Sequence, residues 1–133
     1  MLQLQCIIVT PERTLYDAPA EFVALTLYDG EIGIAPSRAP MIGRLGYGEM
    51  RITEGENHVL YYYVEGGFVE VFEDVVTVMT NRAIPAAELD VKAAEEQVDA
   101  ARSRKAESPE ELALRDRLVS HSRAQLRVAR RGR

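Results

Sequence analysis

Few side chains here could make or break a bond. Two histidines and one cysteine occur among 133 residues. His58 opens an apolar run and His121 lies far inside a C-terminal helical stretch. Neither has a second histidine, cysteine or acid at metal spacing, and zinc takes three or four ligands, so both read as structural or surface histidines. Cys6, in "LQLQCIIV", reads as a small buried hydrophobe; a lone cysteine allows no internal disulfide and fits a reducing compartment. Glu54/Glu56 and Glu95/Glu96 read as a solvated turn and a solvated helix face. Gly66-Gly67 lacks the lysine and following helix of a phosphate loop, leaving a tight turn or bulge between strands. No Ser–His–Asp or Cys–His spacing suggests itself.

What remains is arginine. From Ala113 onward the chain carries seven arginines against Asp116 alone, a net of +6 before the terminal carboxylate, which leaves −11 for the rest of a −5 chain. Clustered arginines bind nucleic acid when aromatic residues are interleaved to stack on bases. None is interleaved here, and the body is acidic. The tail reads either as a solvated helix face or as an arginine-lined helix that meets an acidic protein surface through planar guanidinium forks. The chemistry available is ion pairing.

Two kinds of element must position these groups. Up to about Asn81 the chain reads as short strands: 2–9, 21–27, 32–34, 49–53, 58–64, 68–72 and 75–79. Turn signals lie at Pro11-Glu12, Asp29-Gly30, Gly55-Glu56 and Glu73-Asp74. "FVEVF" is apolar on both faces, which predicts a strand covered on both sides. The set predicts an antiparallel sandwich or barrel. "DGEIGIAPSRAPM", 29–41, reads as one connection whose two glycines and two prolines serve docking. After Pro85 the period becomes helical, with Val91, Ala94, Val98 and Ala101 in register. "SPEE" predicts a second helix with Ser108 as N-cap, Pro109 in the first turn and Glu111 closing a capping box. At 100° per residue, Leu112, Leu114, Leu118, Val119, Leu126 and Ala129 share one arc, and Arg123, Arg127 and Arg131 another. Two such helices joined by a short link make an antiparallel hairpin, thin and alanine-rich, hence loosely held. No apolar run reaches the ~18 residues of a membrane span, and the N-terminus does not read as a signal or transit peptide.

Three stretches carry a resemblance: "IIVTPERTLYDAPAEFV", "DGEIGIAPSRAPMIGRLGYGEMRI" and "YVEGGFVEVFEDVVTVMTNRA". In order and spacing they resemble the epsilon subunit of rotary F-type ATP synthases. "LD" at 89–90 and "RAQLRVA" at 123–129 extend the resemblance along the whole chain. It implies a ten-stranded N-terminal β-sandwich (1–84) and a C-terminal helical hairpin (85–133). It also implies a non-catalytic subunit that couples gamma to the c-subunit ring in proton-driven ATP synthesis. By the same resemblance Glu31 points toward the c ring, and Ser37, Arg38, Ala39, Pro40 and Met41 toward gamma. Arg38 stands where the family usually has histidine.

The resemblance further implies a switch. Folded on the sandwich, the helices permit ATP hydrolysis; unfolded upward between the alpha and beta subunits they oppose it, with Arg115, Arg123 and Arg127 as the pairing residues. Many bacterial members bind ATP at a motif of Ile/Leu, Asp, two residues, Arg, Ala. Here "LDVKAA" keeps Asp90 but has Ala93 at the arginine position. Losing a charge-assisted hydrogen bond, roughly 1.5–3 kcal/mol, weakens binding by ~10- to 150-fold, so weak or absent ATP sensing is expected, with no other cofactor and no metal. The implied location is the cytoplasmic face of the bacterial inner membrane, reached only through the complex, with the plastid thylakoid as the alternative. Set against this reading are a free-standing β-sandwich binding module with a basic helical tail and a small hydrolase whose site assembles only in space.

Overall fold

A computed structural model describes residues 3–131; Leu2 of the first expected strand and Arg133 of the basic tail lie outside them. Eight strands come first: β1 (Leu4–Val9), β2 (Thr14–Ala20), β3 (Phe22–Leu27), β4 (Gly30–Ile34), β5 (Met41–Gly55), β6 (His58–Phe72), β7 (Val75–Met79) and β8 (Ala83–Pro85). A single 3-10 turn over Ala86–Glu88 leads to helices α1 (Val91–Ser103) and α2 (Pro109–Arg131).

The eight strands form ten pairing segments, because β5 and β6 each run 15 residues and change neighbours half-way. The first half of β5 pairs with the second half of β6, Met41 opposite Val71. That half of β6 pairs with β7, and β7 with β1 and β2. The second half of β5 pairs with β3, which pairs with β4, while Tyr62–Val64 of β6 pairs with β8. Five segments thus make each layer. Every pairing is antiparallel except β1 with β7, which is parallel. Side chains alternate along a strand, so each layer sends every second residue inward. Leu4, Cys6 and Ile8 meet Val23, Leu25, Met50, Ile52, Val69, Val71, Val76 and Val78 in one buried core.

Several expectations change. The stretch 29–41 is a turn, strand β4 and a six-residue connection, 35–40, rather than one loop. Strand β2 contains Pro19, which the sheet tolerates because β2 lies at its edge. Gly66 and Gly67 make neither a turn nor a register bulge; both have positive φ, 67° and 106°, inside a continuous β6. Phe68 and Phe72 are not covered: Val69 and Val71 fill the core, while Phe68 is 53% and Phe72 54% exposed. A two-layer sandwich covers one face of each layer, and among the described residues nothing covers Phe68 and Phe72 on the outer face of this one.

The hairpin caps form as the sequence dictates. The Glu111 N–H donates to Ser108 Oγ (3.1 Å), and Ser108 Oγ donates back to the Glu111 carboxylate (3.4 Å). Asp90 caps α1, accepting from the Lys92 and Ala93 N–H groups at 2.9 and 3.4 Å. The buried stripe differs from the leucine arc. Ala124, Val128 and Ala129 are buried in α2, whereas Leu114, Leu118, Val119 and Leu126 are half-buried and Leu112 is exposed. The second half of α2 meets the sandwich, in a cluster with Tyr63, Ala86, Leu89 and Ala94.

Candidate functional site

Two surfaces carry the candidate functional groups. Among the described residues no group of three or more His, Cys, Asp or Glu could hold a metal. Cys6 is fully buried, and burial followed by the nearby Asp17 charge pushes its thiol up to about 12, leaving it inert. The Tyr16 hydroxyl donates to Glu54, which also sits 3.2 Å from His58 Nδ1. Burial first, then that hydrogen bond, raises the Tyr16 pKa, so its hydroxyl stays a donor to Glu54 at the β5–β6 end.

The first surface is the outer face of the layer built from β5, β6, β7 and β1. Ile42 lies opposite Glu70, Phe68 opposite Met79, and Met79 opposite Val9, so these side chains share a face. Ile42 is 74% and Met79 44% exposed, beside the two phenylalanines. Exposed apolar patches of this kind mark interaction sites. The connection 35–40 borders the patch. Ser37, at φ 70°, has its N–H held by Asp74 Oδ1 at 2.7 Å, and the Arg38 guanidinium donates to the Gly33 carbonyl at 3.4 Å. Ala39 and Pro40 are exposed, and Met41 opens β5. Glu31 does not join them: it pairs with Arg51 at 2.9 Å, on the side facing α2.

The second surface is the seat of the hairpin. Arg131 reaches back to Glu49, Nε to Oε2 at 2.9 Å, with its guanidinium 5.2 Å above the Tyr61 ring. Glu49 also holds Arg51 at 2.8 Å, and these contacts raise the pKa of both arginines. Ten residues earlier, nearly three turns back, His121 stacks on Tyr47 with ring centroids 3.6 Å apart. Arg115 donates to the Arg104 carbonyl at 3.5 Å across the helix–helix link. Arg123 and Arg127 make no ion pair among the described residues; with Arg102 and Arg130 they line a cleft of about 400 Å³ between the helices. Arg130 itself is 3.6 Å from Glu95. The sequence reading placed Arg131 with Arg123 and Arg127, and the fold separates it as a clasp.

An exposed pair contributes ~0–1 kcal/mol and a cation–π contact about 0.5–1. Arg131→Ala is therefore expected to shift the hairpin toward the undocked state by about 2- to 30-fold. Amide exchange in α2 would register this, with β1–β7 protection unchanged; equal protection in α2 would deny the clasp.

Comparison with known proteins now decides the family. The beta-sandwich domain of the ATP synthase delta/epsilon chain matches residues 3–86. The ATP synthase epsilon chain of Rhodopirellula baltica is 44% identical over 131 residues, covering 97% of this chain and all of that protein. This chain belongs to the ATP synthase epsilon-chain family. The epsilon chain of Rubrobacter xylanophilus is 36% identical over 109 residues, 82% of this chain and 74% of that one. In fold, the chain is similar to one in the cryo-EM structure of the Euglena gracilis mitochondrial ATP synthase OSCP/F1/c-ring, with a TM-score of 0.76 at 20% identity. That match covers 95% of this chain and 76% of the other. A chain of the Tetrahymena thermophila central stalk and c-ring gives 0.72 at 15% identity, covering 95% and 96%. As an epsilon chain it is a non-catalytic part of the synthase. No helix among the described residues is long and apolar enough to cross a membrane.

Proposed function

We propose that this epsilon chain couples gamma to the c-subunit ring and restrains ATP hydrolysis when its helices leave the sandwich for the alpha and beta subunits. The uncovered apolar face carries the reading. Ile42, Phe68, Phe72 and Met79 lie bare on a rigid sheet, and a rotor subunit needs such a face to hold a turning partner without slipping. The bordering 37–41 stretch extends that contact to gamma, and Glu31 is the acid offered toward the c ring. Arg115, Arg123 and Arg127 are the pairing residues of the released hairpin; none of the three forms an ion pair among the described residues, which fits a role realised elsewhere. Asp90 is engaged as a helix cap and Ala93 offers no donor side chain, which supports weak ATP sensing or none. Attachment to the cytoplasmic face of the bacterial inner membrane then runs through the complex alone.

The sandwich closes with β8 at Pro85, so truncation after Glu88 removes the helices and spares every strand. In a complex reconstituted with gamma, the c ring and the catalytic head, the truncated chain is expected to retain assembly and to raise ATP hydrolysis several-fold. Unchanged hydrolysis would remove the brake and leave coupling intact. Failure of the full chain to co-purify with gamma would remove both and favour a free-standing binding module.

A further inference from the structure

The seat of the hairpin contains a titratable group that neither coupling nor inhibition uses. His121 projects from α2 onto Tyr47, their rings within 6° of parallel, and its backbone carbonyl accepts from the Tyr63 hydroxyl at 3.5 Å. The two rings border a cavity of about 620 Å³ between hairpin and sandwich. We propose that His121 is an acid-sensitive latch: neutral, it stacks on Tyr47 and holds the hairpin down; protonated, it lets the hairpin go.

The charges around the ring set the direction. From α2, Arg117 faces the same cavity one turn earlier; from β5, Arg44 does, its guanidinium 4.5 Å above the Tyr28 ring. From β6, Glu65 is the one acid among the described residues that lines the cavity, and Arg82 already stands 3.7 Å from it. Burial raises the pKa of Tyr63, so its hydroxyl remains a donor throughout. A tyrosine face attracts a cation, but here a new cation would join a cavity already rich in arginine while losing water from one ring face. Burial first, and Arg117 after it, hold the His121 pKa below its ordinary value, with Glu65 opposing.

An undocked His121 titrates near ~6.5. Docking is therefore fully favoured above that pH and is lost as pH falls from there toward the docked-state pKa, by up to about 10-fold per pH unit. The latch acts on docking alone, so it holds whether or not the released helices inhibit.

The test uses the full chain. Amide protection factors in 121–131 are expected to fall by up to about 10-fold over the first pH unit below ~6.5, while those in β1–β7 hold. His121→Phe keeps a flat ring without the proton and should abolish the dependence; an identical pH slope in both proteins overturns the latch. Should the variant fail to dock, the His121 ring resonances of the unmodified chain decide. A midpoint below ~6.5 supports the latch, and one at or above it refutes it.

Discussion

Replacing Phe68 and Phe72 together with serine is expected to abolish tight binding to gamma and leave the fold intact. Both side chains are about half exposed, and surface changes away from caps and charges usually stay within about 0.5 kcal/mol. Binding is another matter. A central aromatic anchor contributes about 2 kcal/mol or more, and truncating two non-additively weakens Kd by roughly 30- to 1000-fold. The phenylalanines sit four residues apart on the same face, with Glu70 between them and Ile42 directly across from it, so one partner surface can cover both. Leu112→Ser is the matched control, since Leu112 is an exposed apolar residue too, 44% accessible, but on the hairpin. Titration of purified gamma against the three proteins reads the result. A double variant that binds like the parent would mean that the bare face serves nothing in the stalk.

That same face explains what the sequence could and could not convey. The alternation in "FVEVF" announces apolar residues on both sides, and both sides are apolar. Alternation does not say which side the chain itself will cover, because a missing partner leaves no trace in the pattern. The Ser108–Glu111 box was legible to the residue, since a cap is a local hydrogen-bond exchange. Asp90 was visible as an acid at a motif position, but its capping bonds to Lys92 and Ala93 emerge only from the backbone. The first half of β5, "MIGRLGYG", falls outside the strands expected from sequence, yet its Gly43, Gly46 and Gly48 lie against Leu27 and Thr26, where side chains would crowd the neighbouring strand. In α2, the leucine arc followed hydrophobicity. The docked stripe, Arg117–His121–Ala124–Val128–Arg131, runs at helical spacing through residues too small or too polar to score. Weak apolar burial with two polar clasps is what a detachable element needs, and it hides from any reading weighted by hydrophobicity.

Gly67→Ala should be the most destabilising of the glycine substitutions in β6. At φ 106° an L-residue is strained by about 1–3 kcal/mol, and a Cβ there would collide with the Met79 carbonyl oxygen and stand 2.9 Å from Thr80 Cα. Both obstacles are backbone and cannot rotate aside, so overpacking adds another ~1–3 kcal/mol. A total near ~4 kcal/mol is a large part of the 5–15 available to a domain, and Tm should fall by about 10 °C or more. Neighbouring glycines grade the argument. Gly66, at φ 67°, would place its Cβ 3.4 Å from the Tyr47 ring, a side-chain rather than a backbone contact, and should lose only about 1 kcal/mol. Gly55 has open space around it and no positive φ, so Gly55→Ala should be neutral or slightly stabilising. Thermal melts in the order Gly55, Gly66, Gly67 test this, and equal losses at 66 and 67 would dismiss the backbone clash. The consequence reaches function, because Gly67 is the joint of β6. On one side of it Phe68 and Phe72 form the docking face; on the other Tyr61 and Tyr63 form the floor beneath the hairpin. Under the proposed function, Gly67, where a side chain would strain the backbone, lies between the face offered to gamma and the floor beneath the hairpin, so its loss should disturb both.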